Sequence, residues 1–246
     1  MLQIKKKQTK WFLISIFIFS FLYFVNMFFI KMIRNMPDSY DKAMVLIEKN
    51  KDYIKALEYL NKYLKFNKDS AETFFSIGYC HYMLGRNEKA LYYFRKSLEI
   101  GYDYPETFEL MAKSQVEIGQ NHLKPVELIK RARMLIDEMD KEVWEVIEKI
   151  HLESKAWIYF KIGKTKEALS LYESILPIWR EYFKRKKNEF EECYSPLHYH
   201  FAMIYKFKGE IERAKSEFKK SMKAGGPQSI FAKKSKEELE KSERIE

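Results

Sequence analysis

The stretch richest in reactive side chains reads Glu191-Glu192-Cys193-Tyr194-Ser195-Pro196-Leu197-His198-Tyr199-His200. A thiol and two imidazoles this close together are the donor types zinc takes. His198 and His200 stand two apart on a predicted helix, however, so their side chains point about 200° apart. The better reading is a pair of structural histidines. The chain's 2 cysteines, Cys80 and Cys193, are too few for a disulfide framework or a four-cysteine zinc site. Cys80 has no nearby His-and-acid pattern to activate it as a nucleophile. Gly163-Lys164-Thr165 imitates the end of a phosphate loop, but the position five before Gly163 is Ile158 and no strand precedes it. The sequence therefore assigns no catalytic residue, metal or cofactor, and the chain reads as a non-enzyme. A metal-binding protein or enzyme using the Cys193–His200 region is the alternative.

What must position these side chains is helical. Only 8 Gly and 6 Pro in 246 residues leave too little turn chemistry for a sandwich or barrel of many short strands. Four segments end a helical stretch on Gly and place a small residue or Pro five or six positions later. They are Gly85 then Ala90, Gly119 then Pro125, Gly163 then Ala168, and Gly209 then Ala214. Phe94, Ile129, Tyr172 and Phe218 follow four further on. Ala56, Leu60 and Tyr63 repeat the second half earlier in the chain. Each segment reads as two antiparallel helices joined at a left-handed Gly, with a small residue where they cross. One such pair cannot bury both its apolar faces, so the pairs must stack.

This pattern resembles the tetratricopeptide repeat (TPR). Ala71 to Tyr104 is the best unit, 34 residues long. Its Phe74, Ile77, Gly78 and His81 stand where the family has W-x-x-L-G-x-x-Y, and Ala90, Phe94 and Ser97 match the second helix. Ser195 to about Lys223 is similar, with His198, Phe201, Ala202 and Tyr205, then Ala214, Phe218 and Ser221. The resemblance covers roughly residues 37–228. It implies an all-α fold, a TPR-like α-solenoid of about five antiparallel helix pairs, and the apolar run near the amino terminus is expected to add one transmembrane helix before it. The unit spacing is uneven, with 34 residues from Ala56 to Ala90, 35 to Pro125, 43 to Ala168 and 46 to Ala214. The predicted limits are 39–228 for the repeats and 229–246 for a Lys/Glu-rich helix capping the open end with a polar face. A further helix is expected from Pro177 through Trp179 to about Cys193.

In TPR proteins one face of each first helix lines a concave channel. The resemblance places Phe75, Tyr79, Tyr82 and Met83 on that face in the second unit. In the fourth it places Glu153, Trp157, Phe160 and Lys161, and in the fifth Tyr199, Met203, Lys206 and Phe207. Rigid aromatic surface of this kind makes binding anchors. The expected partner is a protein or peptide segment rather than a small-molecule substrate. Self-association of the array is a further alternative.

The amino terminus is a separate device. Residues 1–10 form a tail carrying Lys5, Lys6, Lys7 and Lys10. Residues 11–30, WFLISIFIFSFLYFVNMFFI, carry no charge. At 1.5 Å per residue twenty positions span roughly 30 Å, the bilayer hydrocarbon thickness. The run exceeds a signal peptide's apolar core and lacks an A-x-A-like exit, so it is read as an uncleaved signal anchor, followed by a linker over 31–38. Dense positive charge on the short tail favours a cytoplasmic amino terminus and an extracytoplasmic repeat domain. The formal charge of +10 loses 4 with this tail, leaving 10 − 4 = +6 spread over mixed Lys/Glu helices. That distribution argues against nucleic-acid binding.

Overall fold

The computed structural model describes residues 39–119, 123–139, 141–185 and 195–243. The basic tail, the apolar run 11–30, the linker and Cys193 lie outside them. Among the described residues no helix is long and apolar enough to cross a membrane.

The described residues form eleven helices and no strand. Helix α1 covers residues 39–50 and closes in a π-helical turn, Leu46–Asn50. It is followed by α2 (Tyr53–Leu64), α3 (Ala71–Met83), α4 (Asn87–Glu99), α5 (Pro105–Glu117) and α6 (Leu123–Asp137). Then come α7 (Lys141–Lys161), α8 (Thr165–Arg185), α9 (Ser195–Phe207), α10 (Ile211–Gly225) and α11 (Ile230–Glu243). Odd and even helices up to α10 pair antiparallel, and successive pairs stack from α2 to α8.

Local chemistry explains the boundaries. Asp52 and Ser70 cap α2 and α3 by accepting the amides of Lys55 and Thr73. Pro105 opens α5, where its missing N–H costs nothing. Gly85, Gly163 and Gly209 each end a first helix with φ of 73°, 84° and 78°. The amides of the residues after them, Arg86, Lys164 and Glu210, reach back to the carbonyls of His81, Tyr159 and Tyr205, each at 2.9 Å. The same left-handed closure recurs at these three turns and gives the end of each first helix its carbonyl partners.

Pair crossings use small residues. Ala90, Ala112, Ala156, Ala168 and Ala202 are fully buried. At Gly78 an added Cβ would lie 2.7 Å from the Phe94 ring, so the second pair closes on a glycine. Ile77, Phe94, Tyr172, Trp179, Phe201 and Phe218 fill the volume around the crossings. After the fourth repeat the chain runs on as helix through Pro177, which lies inside α8, and the expected continuation past Arg185 to Cys193 falls outside the described residues.

Helix α11 makes contacts that its composition does not announce. It packs mainly on α10 and α9 of the last pair and leaves Lys233, Lys236, Glu237 and Glu240 exposed, but it also reaches beyond that end. Phe231 and Ala232 are buried, and Phe231 packs on Tyr82 of α3 as well as Tyr199 of α9. The turn before it carries Gln228, which accepts from the Ile54 amide (3.1 Å) and donates to Asp52 (2.9 Å) at the start of α2. The last helix thus bridges the second and fifth pairs, and its leading turn meets the first.

Candidate functional site

The crossing residues Gly78, Ala112, Ala156 and Ala202 are equivalent points on α3, α5, α7 and α9. Three positions before each stand Phe75, Glu109, Glu153 and Tyr199. One position after stand Tyr79, Lys113, Trp157 and Met203. Five after stand Met83, Glu117, Lys161 and Phe207. Equal offsets on first helices share a face, and contacts between neighbours join one row to the next or run within one. Lys113 Nζ donates to Glu153 at 2.8 Å, Lys161 lies 3.3 Å from Glu117, and Trp157 packs edge-on against Tyr199. The described residues of these rows make one continuous inner face. The fold is that of a tetratricopeptide repeat array.

Comparison with known proteins agrees. Residues 195–224 match the tetratricopeptide repeat family. A crystal structure of a tetratricopeptide repeat protein from Parabacteroides merdae is similar over 82% of this chain and 68% of its own, with 23% identity and a TM-score of 0.54. A thermophilic TPR protein of Thermus thermophilus is similar over 77% of this chain and 91% of its own, at 13% identity and a TM-score of 0.50. At these identities the likeness speaks for the fold. No curated protein matches the chain.

The residues expected to line the TPR groove divide by accessibility. Tyr82, Met83, Trp157 and Tyr199 are 2, 1, 2 and 7% exposed. Phe231 packs on Tyr82 and Tyr199, while Trp157 stacks flat on His200 with centroids 3.8 Å apart. In this arrangement those four hold the array together. Phe75, Tyr79, Phe160 and Met203 are half-buried, and Lys161 and Phe207 are exposed.

Sequence reading missed the inner face of α5. Glu109, Lys113 and Glu117 stand at the same offsets from Ala112 as the named residues from their own crossings, and Glu106 lies one turn before Glu109. The irregular Gly119–Pro125 spacing drew attention from this unit, although counting from Ala112 would have found them. Glu109 accepts from His151 Nδ1 (3.0 Å) and Ser154 Oγ (2.9 Å) on α7. Glu153 is held between Lys113 Nζ and His200 Nδ1. Burial pushes the Glu153 carboxyl up, but Lys113 and His200 outweigh it and hold it well below the usual range. Burial pulls His200 down, so the neutral imidazole donates from Nδ1.

Beside this network a cavity of about 350 Å³ opens between α3, α5, α7, α8 and the start of α9. Tyr79, Tyr102 and Tyr104 form one side, and Glu106 lies on its wall. The Glu106 side chain is exposed, yet protein packs densely around it. That crowding, with Glu109 beside it, raises its carboxyl to about 7. On the other half of the inner face α11 takes up the space. Lys234 donates to Glu117 at 2.8 Å, and Ile230 crowds Gly85 so closely that a Cβ there would lie 2.8 Å away.

The residues with chemical potential elsewhere have structural partners. His198 bonds Glu217 of α10 while His200 bonds Glu153 of α7, so the two rings are drawn to different helices. Among the described residues no group of His, Cys, Asp and Glu could hold a metal ion. Burial raises the Cys80 thiol, which disfavours the thiolate a nucleophile needs. His81 stacks on Tyr93 at 5.5 Å. Around Gly163, the amides of Gly163 and Lys164 are taken by the carbonyls of Phe160 and Tyr159, leaving them no part in cradling a phosphate.

Proposed function

We propose that this chain is a membrane-anchored docking scaffold whose TPR array binds a segment of another protein on its inner face. The observation that carries the reading is the alignment of α3, α5, α7 and α9. It sets half-buried aromatics and charged groups in rows along one face, with a cavity opening beside Tyr79, Glu109, Lys113 and Glu153 of those rows; rigid rings with oriented polar groups are the mixture that serves recognition. The accessible members, Phe75, Tyr79, Phe160, Lys161, Met203 and Phe207, are the proposed contacts. Residues 11–30 would tether the array to a bilayer, with the amino terminus cytoplasmic and the array on the other side. In that setting the natural partner is a component of an envelope or membrane-associated complex.

The test is cross-linking of the full-length protein in its own membranes, comparing wild type with a Tyr79→Ala/Lys161→Glu/Phe207→Ala variant. The expected result is loss of at least one cross-linked neighbour while membrane yield and helix content hold. An identical set of neighbours for both proteins would rule out this face.

A further inference from the structure

Resting on the docking reading, we propose that the cavity beside α5 takes the ammonium or guanidinium of a Lys or Arg side chain carried by the bound segment. Three carboxylates, Glu106, Glu109 and Glu153, line it against one ammonium, Lys113. Two of the acids are already engaged: Glu109 by His151 and Ser154, Glu153 by Lys113 and His200. Glu106 has no hydrogen bond or ion pair to any described residue, so the wall keeps one carboxyl for a visitor. The chain as a whole is basic, at +10, which makes this local excess of acid a selective feature rather than a property of the surface at large.

The walls suit a cation as well. Tyr102 and Tyr104 pack with ring centroids 4.6 Å apart, and Tyr104 is 53% exposed. Tyrosine faces attract ammonium and guanidinium groups through their quadrupoles. A space of about 350 Å³ lies within the range of ligand pockets and admits a long side chain.

The chain supplies its own precedent. Glu117 lies eleven residues beyond Glu106 on α5. Eleven residues make about three turns, so both carboxyls share one face. Over Glu117 the protein lays Lys234 of α11, with Phe231 of the same helix against Tyr82 and Tyr199. A cation with apolar neighbours is therefore what this face already binds at one end, and the cavity offers the same chemistry at the other.

The purified full-length protein in detergent would be titrated with N-acetyl-arginine methylamide and with its neutral counterpart, N-acetyl-citrulline methylamide. Ligand-detected magnetic resonance is the readout. The arginine probe should bind at least about tenfold more tightly than the citrulline probe, and Glu106→Gln should remove that preference. Tyr104→Ala, at an exposed ring, should weaken the arginine probe without affecting folding. Equal binding of the two probes, or an unchanged preference in both variants, overturns the proposal. Spermidine binding far more tightly than the arginine probe would assign the cavity to a free polyamine and overturn the side-chain assignment. If the cavity fails this test while the cross-linked neighbours persist, only the cation assignment falls. Loss of the neighbours' dependence on the inner face removes the docking reading itself.

Discussion

Glu106 and Lys113 sit two turns apart on one helix and behave oppositely. Desolvation and then Glu109 raise the Glu106 carboxyl to about 7, and its neighbours include Lys113 on α5, Glu153 on α7 and the phenols of Tyr79, Tyr102 and Tyr104. Its folded carboxyl binds protons more tightly than the unfolded one. Its contribution to stability is therefore present at low pH and is lost as pH rises from about 4.5 through about 7. Glu106→Gln should flatten that slope and leave the protein more stable than wild type at pH 8, measured by chemical denaturation at several pH values. A steeper slope in the variant would show that another group titrates there. Lys113 is the reverse case, a buried cation that neutralises Glu153. Lys113→Met leaves that carboxylate with the neutral His200 as its partner and should cost about 3 kcal/mol. Lys113→Met/Glu153→Gln should cost less than the sum of the two single changes. Strict additivity in that cycle would mean the pair does not couple.

Among the elements, α11 owes most to its tertiary contacts. Lys233-Lys234-Ser235-Lys236-Glu237-Glu238 reads as a solvated polar cap, and by composition it is one. Yet Ile230 and Phe231 lead the helix, and that single apolar turn decides where it docks. Phe231 is 2% exposed, so Phe231→Ala removes a buried ring and should cost about 3–5 kcal/mol. Hydrogen exchange should quicken first in α11 itself and in the parts of α3 and α9 that it covers. Uniform loss of protection across α2 to α10 would instead show that α11 is part of one indivisible core. The first helices were easier to anticipate, because each ends at a Gly and crosses its partner at a small residue. Both signals are local and survive in a single sequence.

For the whole molecule the closure between the ends matters. Gln228 ties the turn before α11 to Asp52 and Ile54, and Phe231 ties α11 to Tyr82, across more than a hundred residues of intervening chain. The carboxy-terminal helix and its leading turn therefore touch the first two pairs as well as the last. Anchoring belongs to this scale too. If residues 11–30 hold the protein in a bilayer, the full-length chain should stay in the membrane pellet after carbonate extraction. A version beginning at residue 38 should be released. Protease added to sealed membranes from outside the cytoplasm should cut the repeat domain, and complete protection would reverse the proposed orientation.

The repeat itself was written in the sequence: helix ends at Gly85, Gly163 and Gly209, small crossing residues, and apolar stripes at helical spacing. These depend on contacts between residues near in the chain, so periodicity alone conveys them. The identity of the groove's accessible residues was not legible in the same way. Tyr82, Trp157 and Tyr199 carry the same aromatic signature as Tyr79 and Phe207, and nothing in their spacing says which will be covered. Covering was decided by α11 and His200 arriving from far along the chain, and the free carboxyl of Glu106 by which neighbours the other acids had already taken. Burial and charge pairing are sums over the surroundings in space, and only the folded chain assembles those surroundings.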